Sequence, residues 1–135
     1  MKNGSVRKQA RDTALANALI KSSEKSFKNI KRIKIDELNA ESVISDSYDI
    51  MRELIEAKMA LDSYKSYSHE ATISFLKKFD NFNEKEIVFL DNLRKIRNGI
   101  KYYGQEANEE NASNVVKFMT SILPKLKKLL EDNRG

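Results

Sequence analysis

Arg97, Asn98, Lys101 and Tyr102 stand close together in the chain and carry the side chains that phosphate recognition uses. Arginine's planar fork bonds phosphate oxygens two at a time and keeps its charge. Asparagine can orient a neighbour or hold backbone through its amide. Tyrosine, with an ordinary pKa of about 10, is a poor base at neutral pH, but it can donate a hydrogen bond to phosphate or stack on a base. On a regular helix Arg97 and Lys101, four apart, share a face and form a cationic pair suited to a phosphate. Arg97 and Tyr102, five apart, are separated by about 140° around the axis. They can meet one ligand only across a groove, such as a symmetric dimer with facing helix ends would provide.

Other chemistry-bearing residues are sparse. Tyr64, Lys65 and Tyr67 interleave aromatic and basic character in a turn, a pattern that can bind single-stranded nucleic acid. The plainer expectation, and the one adopted, is that these tyrosines close one end of a bundle and the lysine is solvated. Arg7, Lys8, Arg11, Lys21, Lys25 and Lys28 could follow phosphates nonspecifically or form a solvated helix face. The chain has no cysteine, which excludes disulfides, thiolate catalysis and cysteine-based zinc sites. Its single histidine, His69, cannot build a histidine-rich metal site. No Walker, Rossmann or zinc-finger pattern occurs. No metal and no cofactor are expected.

The elements that must position these residues read as helices. The 135 residues suit one domain, residues 1–135, long enough to bury a core without covalent staples. Four glycines, one proline and abundant Ala, Leu, Ile, Lys and Glu favour helix throughout. The charge is uneven. Residues 1–34 carry ten Lys/Arg against two Asp/Glu, a net of +8, and the remainder carries fifteen against eighteen, a net of −3. A basic N-terminal helix and connector (1–34) therefore precede a mildly acidic bundle body (36–132). No apolar run approaches the roughly 20 residues of a membrane span, and MKNGSVRKQARDTALA has no signal-peptide core. A cytoplasmic protein is expected.

Residues 5–29 predict a first helix with a thin stripe of Leu15, Leu19, Ser22, Ser26 and Ile30, followed by the basic connector Lys28–Lys34. Asp36 is expected to cap a second helix over 37–65. Ala40, Ile44, Ser47, Met51, Leu54, Lys58 and Leu61, widened by Val43, Ile50 and Ile55, make that helix the central pillar. Ser68 caps a third helix over 69–79, presenting Ile73, Phe75, Leu76 and Phe79. Asn83 and Glu86 form a capping box for a fourth over 84–103, whose stripe is Ile87, Leu90, Leu93, Ile96 and Ile100, and Gly104 ends it. A fifth, over 109–132, carries Val115, Met119, Ile122, Leu126 and Leu129, with Pro124 expected to bend it. Short loops make this an all-α, four- to five-helix antiparallel up-and-down bundle.

Residues 48–104 also carry a resemblance. The stretch YDIMRELIEAKMALDSYKSYSHEATISFL, leading to FNEKEIVFLDNLRKIRNGIKYYG, resembles the small archaeal members of the HEPN family, the higher-eukaryote and prokaryote nucleotide-binding domains. The resemblance extends weakly to the first and last helices. It implies a helical bundle that commonly dimerises, often a metal-independent ribonuclease acting as the toxin of a toxin–antitoxin pair, with a small nucleotidyltransferase as frequent partner. The family motif is an arginine, a polar residue, three variable residues and a histidine near the end of the fourth helix. Arg97 and Asn98 match it, Gly99, Ile100 and Lys101 fill the variable positions, and Tyr102 stands where the histidine would be. Some toxin members add a tyrosine two residues further on, where this chain has Gly104.

Metal-free RNA cleavage sets the ribose 2′-hydroxyl against the adjacent phosphate. It needs a proton acceptor, a proton donor and positive charge on the phosphate. With Tyr102 in the histidine's place, the resemblance implies binding of RNA, a nucleotide or a nucleotidyltransferase partner without efficient catalysis. The alternative is a toxin-type ribonuclease. In either case Arg97 holds phosphate, Asn98 orients it, Tyr102 contacts the substrate, and Lys101 and His69 are further substrate contacts. For His69 the plainer expectation is a local hydrogen bond at the start of helix three. The sharper one is that it folds toward Arg97 and replaces the missing histidine. Tyr103, three beyond Ile100, is expected to pack.

Overall fold

The computed structural model describes residues 6–131, so residues 5 and 132, the outer ends of the two terminal helices expected from the sequence, lie outside it. In chain order the elements are β1 (Val6–Lys8), α1 (Thr13–Arg32), α2 (Ala40–Leu61), β2 (Tyr64–Ser66), α3 (His69–Ser74) running into a 3-10 turn over Phe75–Lys78, α4 (Glu84–Tyr103) and α5 (Glu109–Glu131). The fold is an all-α bundle with one two-stranded ribbon added.

α2 is the pillar. Fourteen of its 22 residues are buried, more than one face can hold, so it has to be covered from several sides. The stripe read from the sequence is buried throughout, including Lys58, which pairs with Asp62 at 3.2 Å. α1, α4 and α5 all pack on α2. α4 also rests on α3, and it meets α5 through long side chains. Phe89 stacks on Phe118 with ring centroids 4.0 Å apart, and Lys125 bonds Glu86 at 2.8 Å.

Several element ends differ from those read in the sequence, each for a local reason. α1 starts at Thr13 and not near residue 5, because the Asp12 side chain accepts from the Leu15 N–H at 2.9 Å and caps the helix there. Upstream, Val6–Lys8 is a strand, antiparallel to Tyr64–Ser66 in the register Val6↔Ser66, Arg7↔Lys65, Lys8↔Tyr64. The inner face of α1 is Ala16, Ile20, Ser23 and Ile30; Ile30 is where it was expected, and the other three lie one residue over from Leu15, Leu19 and Ser22. Leu15 faces outward, and small Ala16 and Ser23 fit against α2. The helix continues through most of the expected connector, to Arg32.

Asp36 does not cap α2. Its carboxylate accepts from the N–H groups of Leu38 and Asn39, making a tight turn that delays the helix to Ala40, with Asn39 as N-cap. α2 also stops at Leu61, earlier than expected, as Ser63 takes a positive φ and the chain enters β2. The third helix is shorter too, tightening into the 3-10 turn after Ser74.

The capping box of α4 forms as expected. Asn83 Oδ1 accepts from the Glu86 N–H at 2.8 Å, and Glu86 Oε1 accepts from the Asn83 N–H at 2.9 Å. Its inward line is Leu90, Leu93 and Arg97, while Ile96 turns outward. The expected stripe of α5 is buried, and the helix runs through Pro124 on its exposed side.

Gly104 ends α4 at φ +66°, and the Gln105 N–H donates to the Gly99 carbonyl at 3.0 Å. A Cβ at Gly104 would meet open space, so its cost is conformational alone. Gly104→Ala should destabilise the chain by about 1 kcal/mol in urea unfolding without changing its helix content.

Candidate phosphate-binding site at the end of α4

α2 is apolar along most of its length but carries a charged rib where Asp49, Arg52 and Glu56 follow at helical spacing beside Tyr48. Arg52 bonds Glu56 at 2.9 Å and reaches Asp49 at 3.4 Å. α4 meets this rib in its fourth turn. There Arg97, 7% exposed, points inward and reaches the same Asp49 oxygen at 3.4 Å. Arg94, one turn earlier, is held by Asp91 at 2.9 Å.

The fully buried Tyr48 ring joins two of the residues singled out in the sequence. The Arg97 guanidinium carbon is 6.0 Å from its centroid, and the His69 ring packs against it at 5.9 Å, tilted by 46°. His69 opens α3, and its ring lies against the same Tyr48 ring as the Arg97 guanidinium. Its position is fixed by the turn before it. The Ser68 hydroxyl accepts from the Ala71 N–H at 3.1 Å, and the Ser66 hydroxyl donates to the Ser68 carbonyl at 2.5 Å.

Electrostatics sharpen the pair. Burial pushes the His69 imidazole below its ordinary value, and the positive fields of Arg52 and Arg97 push it the same way against Glu56 and Asp49. Burial raises the Tyr48 hydroxyl above its usual range despite the opposing pull of Arg52, Arg94 and Arg97, so it remains protonated. At neutral pH the site therefore holds a neutral imidazole, a phenol and a fixed guanidinium around one ring. Tyr48 Oη, Arg52 Nε and Arg97 Nε are buried without hydrogen-bond partners. The cluster thus has more donors than its carboxylates satisfy.

The other expected residues are distributed differently. Asn98 is half-buried. Lys101 and Tyr102 are exposed and lie against each other, with the lysine nitrogen 5.5 Å from the ring centroid, so Tyr102 faces solvent and Arg97 does not. Tyr103 does not pack. It is 86% exposed, at the last residue of α4. Gly99 leaves room for the Gln105 side chain, which folds back over it. Tyr48, Asp49 and Arg52 were not singled out in the sequence. The signal that could have found them is the charged interruption of an otherwise apolar pillar.

Among the described residues no group of three or more His, Asp or Glu is arranged to hold a metal ion. No helix of the described chain is long and apolar enough to cross a membrane. Comparison with protein-family models, curated proteins and solved structures finds no match to this chain.

A lowered imidazole makes stability depend on pH with a definite sign. As pH falls below about 6.5 the unfolded chain takes up the proton first, so this contribution to stability is complete above that pH and is lost below it. The raised Asp46 and Glu53 act in the opposite sense, at carboxylate pH. The C2 proton of the single histidine should titrate below 6.5 by NMR. In urea unfolding at pH 5 and pH 7, His69→Gln should lose less stability on acidification than the parent chain.

Proposed function

We propose that this chain is a HEPN-type protein, of the small archaeal kind, that binds RNA or a nucleotide through the Arg97 end of α4 and does not turn it over efficiently. The observation that carries the reading is that Arg97 and His69, the two residues with the most phosphate chemistry to offer, pack on the same buried tyrosine. In this reading Arg97 supplies fixed positive charge, Asn98 steadies the backbone, and Lys101 and Tyr102 extend the contact on the exposed side. A small nucleotidyltransferase would be the natural partner and the cytoplasm the natural setting.

A second copy of the chain belongs to the same proposal. Phe89, Ile96 and Tyr103 recur every seven residues along α4 and are 37%, 38% and 86% exposed. An apolar line of this kind suits a facing helix. Light scattering should give a dimer mass, and Ile96→Glu should give a monomer. A monomer at high concentration in the parent chain would remove the dimer from this reading.

One observation favours the second reading, a metal-independent ribonuclease. His69 packs on the Tyr48 ring against which the Arg97 guanidinium also lies, and burial holds its imidazole below the ordinary value, so that it is neutral at pH 7. That is the state needed to accept the 2′-hydroxyl proton while the guanidinium faces phosphate charge. The oxygen then attacks the phosphate, giving a cyclic phosphate and a 5′-hydroxyl that takes its proton from solvent.

Labelled RNA with excess chelator distinguishes the two. The first reading expects binding without cleavage, binding weakened about tenfold in Arg97→Lys, where the charge stays and the fork is lost, and unchanged in Tyr102→Phe. The second expects chelator-resistant cleavage that disappears in Arg97→Lys and in His69→Gln. Absence of RNA and nucleotide binding would end both.

A further inference from the structure

The ribbon formed by β1 and β2 is built against electrostatic convenience. Its register sets Arg7 directly opposite Lys65, and residues directly opposite in an antiparallel pair point to the same side. Like charges in that relation destabilise a sheet. Tyr67, two residues beyond Lys65, belongs to the same outward side. Its ring is 62% exposed, with the Arg7 guanidinium carbon 5.7 Å and the Lys65 nitrogen 5.6 Å from its centroid. Lys78 lies 4.5 Å from the centroid of the half-buried Tyr64.

The exposed ring is held firmly. It sits between Ser66 and Ser68, whose mutual hydrogen bonds close the turn. The Thr72 hydroxyl lies 2.8 Å from Ser66 Oγ and 3.1 Å from the Ser68 carbonyl, anchoring the turn to α3. Glu56 of α2, which lines the same cavity as Lys65, is occupied by Arg52.

We infer that this ribbon is a binding site for single-stranded nucleic acid, with one base stacked on Tyr67 and the adjoining phosphates on Arg7 and Lys65. A phosphate between the two cations removes the repulsion built into the register, and a flat exposed ring beside cations is the platform that unpaired bases use. A duplex keeps its bases stacked internally and cannot use that platform. The site needs nothing from Arg97, so it goes beyond the function proposed above.

The test is fluorescence anisotropy with labelled ten-nucleotide RNA and DNA single strands and the matching duplex, using the full chain at low salt. Tyr67→Ala should weaken single-strand binding about tenfold, while Tyr67→Phe stays within about twofold. Arg7→Glu should weaken binding and reduce its salt dependence by about one unit of logarithmic slope per lost phosphate contact. The same change should leave the melting temperature at least as high, because it replaces a repulsive cross-strand pair with an attractive one. Single-strand binding unaffected by Tyr67→Ala overturns the inference, as does duplex binding as tight as single-strand binding, or polyglutamate competing as well as RNA. Loss of affinity in Tyr67→Ala with none in Arg97→Lys leaves the ribbon site standing and removes the Arg97 reading. The reverse pattern does the opposite.

Discussion

A helix that is apolar around most of its circumference must be covered from several sides, and α2 is that helix. α1, α4 and α5 are arranged as they are because each covers a part of it. The same constraint locates the candidate site. Where Asp49, Arg52 and Glu56 interrupt the apolar surface, the covering helix has to bring a compensating group, since burying a charge without a partner is costly. α4 brings Arg97 to Asp49, so the inward line of that helix ends on an arginine and not an aliphatic residue.

The polar cluster that results is under-satisfied for a structural ion pair. Asp49 is shared by two arginines at 3.4 Å, and buried nitrogens of both arginines, with the Tyr48 hydroxyl, lack partners. A bundle selected for stability alone gains more from an apolar contact at such a place. Local rules are broken in this way most often where function requires it. The neutral imidazole beside the cluster adds the one group in the chain suited to proton transfer near neutral pH.

The N-terminal arm shows a second departure of the same kind. Arg7 and Lys8 belong to the most basic part of the chain, and pairing with β2 sets Arg7 opposite Lys65 and Lys8 opposite Tyr64 instead of dispersing them along a helix. The Asp12 cap separates arm from helix, and backbone pairing with Tyr64–Ser66 outweighs the repulsion between the side chains. Arm, turn and the start of α3 therefore form one local unit, with Tyr67 at its surface and His69 at its inner end.

Much of the architecture was legible from periodicity alone. The stripes of α2 and α5, the capping box of α4 and its stop at Gly104 follow from short-range rules, in which hydrophobic spacing and side-chain caps act within a turn or two of the residues concerned. α1 starts later than periodicity suggests, and its inner face is one residue out of register until Ile30. Its apolar stripe is thin, and the choice between Leu15 and Ala16 is made by how closely α2 approaches. The ribbon was not legible, because strands three residues long exist only through pairing across nearly sixty residues. For the site, sequence offered His69 near Arg97 only as the sharper of two expectations and did not name Tyr48, the ring against which both lie, and it expected Tyr103 inside. Types and local spacing were thus determined by sequence. Convergence of Arg97 and His69 on Tyr48, and of Arg7 and Lys65 on Tyr67, was decided by tertiary structure, because each pair belongs to different elements, brought together in the first case by packing on α2 and in the second by the pairing of β1 with β2.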